Sequence, residues 1–220
     1  MTTKTQATNT QAIFERIGGH RLVPVIAIDS VDAALPLADA LLEGGLPLAE
    51  ITFRTAAAAE VIALLTQKRP ELLVGAGTIL NGASLDQAIS AGAAFGVSPG
   101  TNPAVVQAAA GRGLPFIPGV VTPSEIEQAL ALGSRLMKFF PAEASGGAAM
   151  LKAVIAPYVH TGVKFMPTGG VTLSNIEAYL ALDCVAAIGG TWLATKEDIA
   201  EKRWGQITQK CREARQRIGQ

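Results

Sequence analysis

Eight times along this chain a short apolar, β-rich run gives way to a longer run rich in alanine and leucine, and few folds accept that alternation. The short runs are RLVPVIAI from Arg21, LPLAEITF from Leu46, LLVGAGT from Leu72, AAFGVSP from Ala93, PFIPGV from Pro115, RLMKFFP from Arg135, VKFMPTGG from Val163 and VAAIGG from Val185. Apolar on both faces, they read as parallel strands, which need crossover helices and are covered on either side. The intervening stretches, such as DAALPLADALLEGG, AAAAEVIALLTQ, PSEIEQALALG and TLSNIEAYLAL, place apolar residues at three- and four-residue spacing, the signature of a helix with one buried face. Thr122, Pro123 and Glu125 predict a capped helix start, and Gly44, Gly92, Gly111 and Gly133 stand where helices should stop.

The unit recurs roughly every 20 to 25 residues with no linker-like composition between copies, so one α/β domain is expected, a closed (β/α)8 barrel. A doubly wound open sheet uses the same alternation and is the alternative. Eight near-equal units favour closure. A further helix over residues 10–17 is expected to close the barrel bottom, after a flexible stretch over residues 1–9. At 220 residues the barrel is small against a typical ~250, so the active site should come largely from the C-terminal ends of the strands.

Eighteen Lys and Arg balance eighteen Asp and Glu, which argues against a broad field for nucleic acid or an anionic membrane surface; an anionic ligand must be held by local groups. The polar opening MTTKTQATNT lacks the apolar core of a secretory signal, and no apolar run reaches the roughly 18 to 20 residues of a membrane span. Cys184 and Cys211 have no Cys or His companions nearby in sequence, so neither a disulfide framework nor a zinc motif is indicated. A cytoplasmic protein is the expectation.

Lys138 is out of place within LMKFFP. Alternation puts Leu136, Lys138 and Phe140 on one strand face and Met137 and Phe139 on the other, so the ammonium is desolvated whichever way it points. Burial of that kind lowers a lysine's pKa. An ordinary lysine near ~10.4 is neutral only about once in 2,500 at pH 7, whereas at ~8 roughly one in ten would be free to attack a carbonyl. A structural ion pair with a nearby carboxylate is the competing explanation. Glu50, Thr52 and Arg54 share a parity in LAEITFR and are expected to line the same barrel mouth. A guanidinium suits bidentate carboxylate binding and a buried glutamate suits proton transfer, unless the two simply pair with each other. The glycines of TGG at Thr168–Gly170 and GGT at Gly189–Thr191 end the seventh and eighth strands, where barrels often bind phosphate. GAGT from Gly75 to Thr78 ends the third with another small, hydroxyl-bearing surface. His20 and His160 lack the companions of a metal site or triad, Lys164 opens its strand at the far end, and Trp192 and Trp204 read as packing residues.

Taken in order, LAEITFR, GAGTIL, SPGTNP, IPGVVTPSE, KFFPAE, PTGG and IGGTW resemble the motifs of the 2-keto-3-deoxy-6-phosphogluconate (KDPG) aldolase family, whose members often also act on 4-hydroxy-2-oxoglutarate. The likeness spans roughly residues 12 to 210. It implies a class I aldolase of the Entner–Doudoroff pathway, usually a homotrimer, without metal or organic cofactor. It implies Lys138 as the Schiff-base lysine and Glu50 as general acid/base. Arg54, Thr78 and Thr168 would then surround the pyruvyl carboxylate and imine, Pro99 and Phe140 would be pocket walls, and Gly169, Gly170, Gly190 and Thr191 would be the phosphate end. Thr191 stands where many relatives carry serine, and ITFR where VTLR is commoner. The reaction implied runs between the phosphorylated 2-keto acid and pyruvate plus glyceraldehyde 3-phosphate. An aldolase for the galactonate epimer or an unphosphorylated keto acid, and a non-catalytic phosphosugar-binding barrel, are the alternatives.

Overall fold

The computed structural model describes residues 2–220, with side chains from residue 8 onward. Eight parallel strands form the inner wall: β1 Leu22–Ile26, β2 Leu48–Thr52, β3 Leu73–Gly77, β4 Phe95–Val97, β5 in two pieces at Phe116–Ile117 and Gly119–Val120, β6 Leu136–Phe139, β7 Lys164–Pro167 and β8 Ile188–Gly190. Around them lie α2 Ala34–Glu43, α3 Ala58–Lys68, α4 Gly82–Ser90, α5 Pro103–Gly111, α6 Pro123–Ala131, α7 Gly147–Ile155, the short α8 Ile176–Leu180 and α9 Lys196–Ala200, and α10 Trp204–Arg217.

Closure is visible in the pairing. β1 neighbours both β2 and β8, the bridges Phe165↔Val185 and Thr168↔Gly189 tie β7 to β8, and the pairings run round the ring without the edge strands an open sheet would leave. The fifth strand departs from expectation by breaking at Pro118, which has no N–H to give a ladder. Its first piece pairs with β4 and its second with β6, so the ring is carried across the break. The expected helix over residues 10–17 is the middle of a longer α1, Thr2–His20; Met1, part of the stretch expected to be flexible, lies outside the described residues. The cap at α6 is as read: Thr122 Oγ1 accepts from the Glu125 N–H, and Glu125 Oε2 accepts from the Thr122 N–H at 2.8 Å. Gly92 and Gly133 follow their helices at φ 83° and 85°, whereas at the end of α5 the left-handed residue is Gly113, not Gly111.

Strand alternation divides the apolar residues into two sets. Ala49, Ile51, Val74, Met137, Phe139 and Phe165 point outward and pack with the helices in the larger core. Val23, Leu48, Leu73, Phe95, Ile117, Leu136, Met166 and Ala187 point inward, joined by Ile17 and flanked by Ile13 and Phe14 of α1. This inner set plugs the end of the barrel where the strands begin, as expected of α1. Among the described residues no helix is long and apolar enough to cross a membrane.

Candidate active site

One pleat repeat beyond that plug the inner wall changes character. Leu48 is followed on its face by Glu50 and Thr52, Leu136 by Lys138, Met166 by Thr168, and Leu73 by Gly75 and Gly77. Glu50 is 0% exposed and Lys138 6%, and Lys138 Nζ stands 3.3 Å from Glu50 Oε1. The two come from β2 and β6, on different sides of the ring, and meet across its interior. The ion pair weighed as an alternative for Lys138 therefore exists, and its partner is the proposed acid/base. Glu50 Oε2 is buried without a hydrogen-bond partner among the described residues, an arrangement that costs free energy. Lys138 Nζ also lies 5.3 Å from the centroid of the Phe140 ring, whose face favours a cation and walls that side.

Glycines on the inner face make the room. A Cβ at Gly77 would collide with Glu50 Oε1, one at Gly189 with Thr168 Oγ1, and one at Gly75 with the Phe95 ring. These strand glycines are absent side chains rather than turns; the sequence reading took Gly75–Thr78 as a small surface but could not name the side chains that fill the space. Thr78, just past Gly77, adopts φ 60°, a conformation that costs a β-branched residue energy and is kept where surroundings over-determine it.

Arg54 does not pair with Glu50, contrary to one of the two explanations offered for that charged couple. Its Nε donates to Thr52 Oγ1 at 3.1 Å, and Thr52 Oγ1 in turn donates to the Ile26 carbonyl at 2.8 Å. Thr52 thus fixes Arg54 at the mouth, where the guanidinium has no carboxylate partner among the described residues. Thr168 is 2% exposed, and its N–H donates to the Phe139 carbonyl at 3.0 Å, beside the lysine strand. Gly169 and Gly170 follow at φ 97° and 81°, and their N–H groups make no hydrogen bond among the described residues. Gly190 is buried under the Trp192 ring, and Thr191 is exposed at the same end of the barrel. Pro99 lines a rim cavity with Ile79, Leu80, Ser98 and Thr101.

The residues set aside stay apart. His20 ends α1, its pKa lowered by burial and by Arg16 and Arg215; His160 is exposed in the 3-10 helix Ala156–Thr161; Lys164 Nζ donates to the Asp183 carbonyl at 2.8 Å. Both cysteines are free, and burial pushes the Cys211 thiol up to about 12. Among the described residues no group of three or more His, Cys, Asp or Glu is placed to hold a metal ion.

A buried amine in contact with a buried carboxylate, at the carboxyl end of a barrel, is equipped for carbonyl chemistry through an imine. Known proteins agree. The chain is 47% identical over 204 residues to the 2-dehydro-3-deoxy-phosphogluconate aldolase of Haemophilus influenzae, covering 93% of this chain and 95% of that one. It is 45% identical over 207 residues to the protein of the same name from Treponema pallidum, covering 94% and 98%. The crystal structure of Legionella pneumophila KDPG aldolase, with pyruvate captured as a covalent carbinolamine, superposes with a TM-score of 0.87 at 39% identity, covering 93% of this chain and 97% of that one. The model of the KDPG and KHG aldolase family matches residues 13–210, and with relatives this similar over nearly their whole length, the chain belongs to that family.

Proposed function

We propose that this protein cleaves 2-keto-3-deoxy-6-phosphogluconate reversibly to pyruvate and D-glyceraldehyde 3-phosphate, as a class I aldolase of the Entner–Doudoroff pathway. The observation that carries the reading is the 3.3 Å contact between Lys138 Nζ and Glu50 Oε1 inside the barrel, one layer above its apolar plug. A proton passed within that contact leaves an uncharged amine and an uncharged acid, so the pair can present a nucleophile without drawing on solvent. The amine attacks the C2 ketone, Glu50 gives its proton to the departing hydroxyl of the carbinolamine so that water leaves and the carboxylate is restored, and the protonated imine becomes the electron sink. Glu50 takes the proton of the C4 hydroxyl as the C3–C4 bond breaks, the aldehyde departs, and the bonding electrons remain as an enamine. The protonated Glu50 is placed to return that proton to C3, after which water hydrolyses the imine and pyruvate leaves. The imine withdraws the electrons, so the reading uses no metal or organic cofactor.

Arg54, held by Thr52, fits the pyruvyl carboxylate, with Thr78 and Thr168 beside the imine and Pro99 and Phe140 as walls. Gly169 and Gly170, with their unpaired N–H groups, and Gly190 and Thr191 fit the phosphate. The catalytic domain in this reading spans residues 10–220, with residues 1–9 outside it. The family resemblance further supports a cytoplasmic homotrimer.

Pyruvate release from the phosphorylated substrate, followed with lactate dehydrogenase and NADH, tests the proposal. Turnover is expected, with kcat/KM above that for 4-hydroxy-2-oxoglutarate or 2-keto-3-deoxy-6-phosphogalactonate. Binding of the sugar phosphate without pyruvate release would instead identify a non-catalytic barrel.

A further inference from the structure

A second polar contact lies at the barrel mouth, outside the lysine–glutamate pair, between a buried tyrosine and a glutamate that is itself exposed. Tyr179, on α8, is 0% exposed, and its hydroxyl donates to Glu143 Oε1. Glu143 sits in the turn after β6, five residues beyond Lys138 in the chain. Its own N–H donates to the Gly169 carbonyl at 3.0 Å, and the neighbouring Ala142 N–H donates to the Thr168 carbonyl at 2.8 Å. The turn therefore grips both carbonyls next to the two glycines whose N–H groups stand unpaired.

The side chain of Glu143 adds to that grip. A Cβ at Gly170 would stand 2.6 Å from Glu143 Cβ, and one at Gly147 would stand 3.3 Å from Glu143 Oε1 and 3.7 Å from the Tyr179 hydroxyl. Glu143 thus lies wedged between two left-handed glycines, with Tyr179 holding its far end. Asn175 closes the other side, its Nδ2 donating to the Gly170 carbonyl at 3.1 Å while its Oδ1 accepts from the Thr172 N–H at 2.7 Å. Burial raises the Tyr179 pKa, and the hydrogen bond and charge of Glu143 raise it further, so the hydroxyl remains a donor across any working pH. A carboxylate is a poor ligand for an anion, and a phenylalanine would fill the core as well as tyrosine. Neither contact with a phosphate nor packing accounts for the pair.

We propose that Glu143 and Tyr179 are positioning residues for phosphate recognition: together they hold the Thr168–Gly170 turn at a set distance from Lys138, so that an anion on its N–H groups places the ketone at the amine. The proposal rests on the assignment of Gly169 and Gly170 to the phosphate end.

The test is kcat/KM for 2-keto-3-deoxy-6-phosphogluconate and for unphosphorylated 2-keto-3-deoxygluconate, measured in the parent enzyme and in Tyr179→Phe, Glu143→Ala and Glu143→Gln. Tyr179→Phe and Glu143→Ala should lower the ratio of phosphorylated to unphosphorylated kcat/KM about tenfold, chiefly through KM, the effect of one lost hydrogen bond to a charged group. Glu143→Gln still accepts from the tyrosine and should keep the ratio within about threefold of the parent. An unchanged ratio in Tyr179→Phe and Glu143→Ala, or equal losses on both substrates, would overturn the positioning role while leaving the phosphate assignment standing. A parent enzyme that does not distinguish the two substrates would remove that assignment and this proposal with it.

Discussion

The two ends of the barrel interior are built from the same strands and serve opposite purposes. At the end where the strands begin, Leu48, Leu73, Leu136 and Met166 fill the ring with hydrocarbon and meet Ile17 of α1. One pleat repeat further on, the same strands carry Glu50, Gly75, Lys138 and Thr168. The separation is about 6.6 Å along a strand, two residues of rise, yet it turns a dry, close-packed plug into a cleft with a buried ion pair and an unsatisfied carboxylate oxygen. Stability and chemistry are stacked rather than mixed. The plug also excludes water from below, which strengthens every electrostatic interaction in the layer above.

Substitutions in the two layers should therefore separate activity from stability. Lys138→Ala is expected to lower kcat by ~10^4-fold or more, since it removes the nucleophile, with an unfolding midpoint close to that of the parent. Glu50→Gln should lower kcat on the sugar acid by ~10^2- to 10^4-fold, the usual worth of a general acid/base, in steady-state assays across pH. Leu136→Ala, a single pleat below the lysine, reverses the pattern: about 2–5 kcal/mol lost in urea unfolding, with kcat per folded molecule nearly retained. Comparable loss of kcat in Leu136→Ala and Lys138→Ala would break the contrast between the layers.

The smallest effect belongs to the outer wall. Burial works to raise the Glu125 pKa, but the N–H groups of Val121 and Thr122 and the Thr122 hydroxyl outweigh it, holding the carboxyl below its ordinary value. A depressed pKa contributes stability that is complete above the unfolded value near 4.5 and fades as pH falls through the folded one. Glu125→Ala should accordingly cost about 1 kcal/mol at pH 7 and less at pH 3, by urea midpoints, with activity unaffected.

Strand parity made much of this readable from sequence. It put Lys138 with Leu136 and Glu50 with Thr52 on their faces, because the period of two is a local property of the backbone. Parity carries no information about which faces meet across a closed ring, so Arg54 remained a candidate partner for Glu50 while the real one came from β6. Gly77 and Gly189 read as strand-end glycines, since a missing side chain shows its purpose only beside the atoms that fill the space. Tyr179 lies within TLSNIEAYLAL, which reads only as a helix with one buried face; its hydroxyl acquires meaning only from Glu143, 36 residues away. The break at Pro118 is the clearest case of a visible signal passed over, because proline inside a strand run announces a missing ladder bond.

The central claim is that Lys138 forms a covalent imine with the keto acid. Incubation with pyruvate and sodium borohydride, followed by proteolysis and mass spectrometry, reads this directly. The account predicts one reduced pyruvyl adduct per chain, on the peptide containing Lys138. An adduct on another lysine, or turnover of the sugar acid with none trapped, would contradict it.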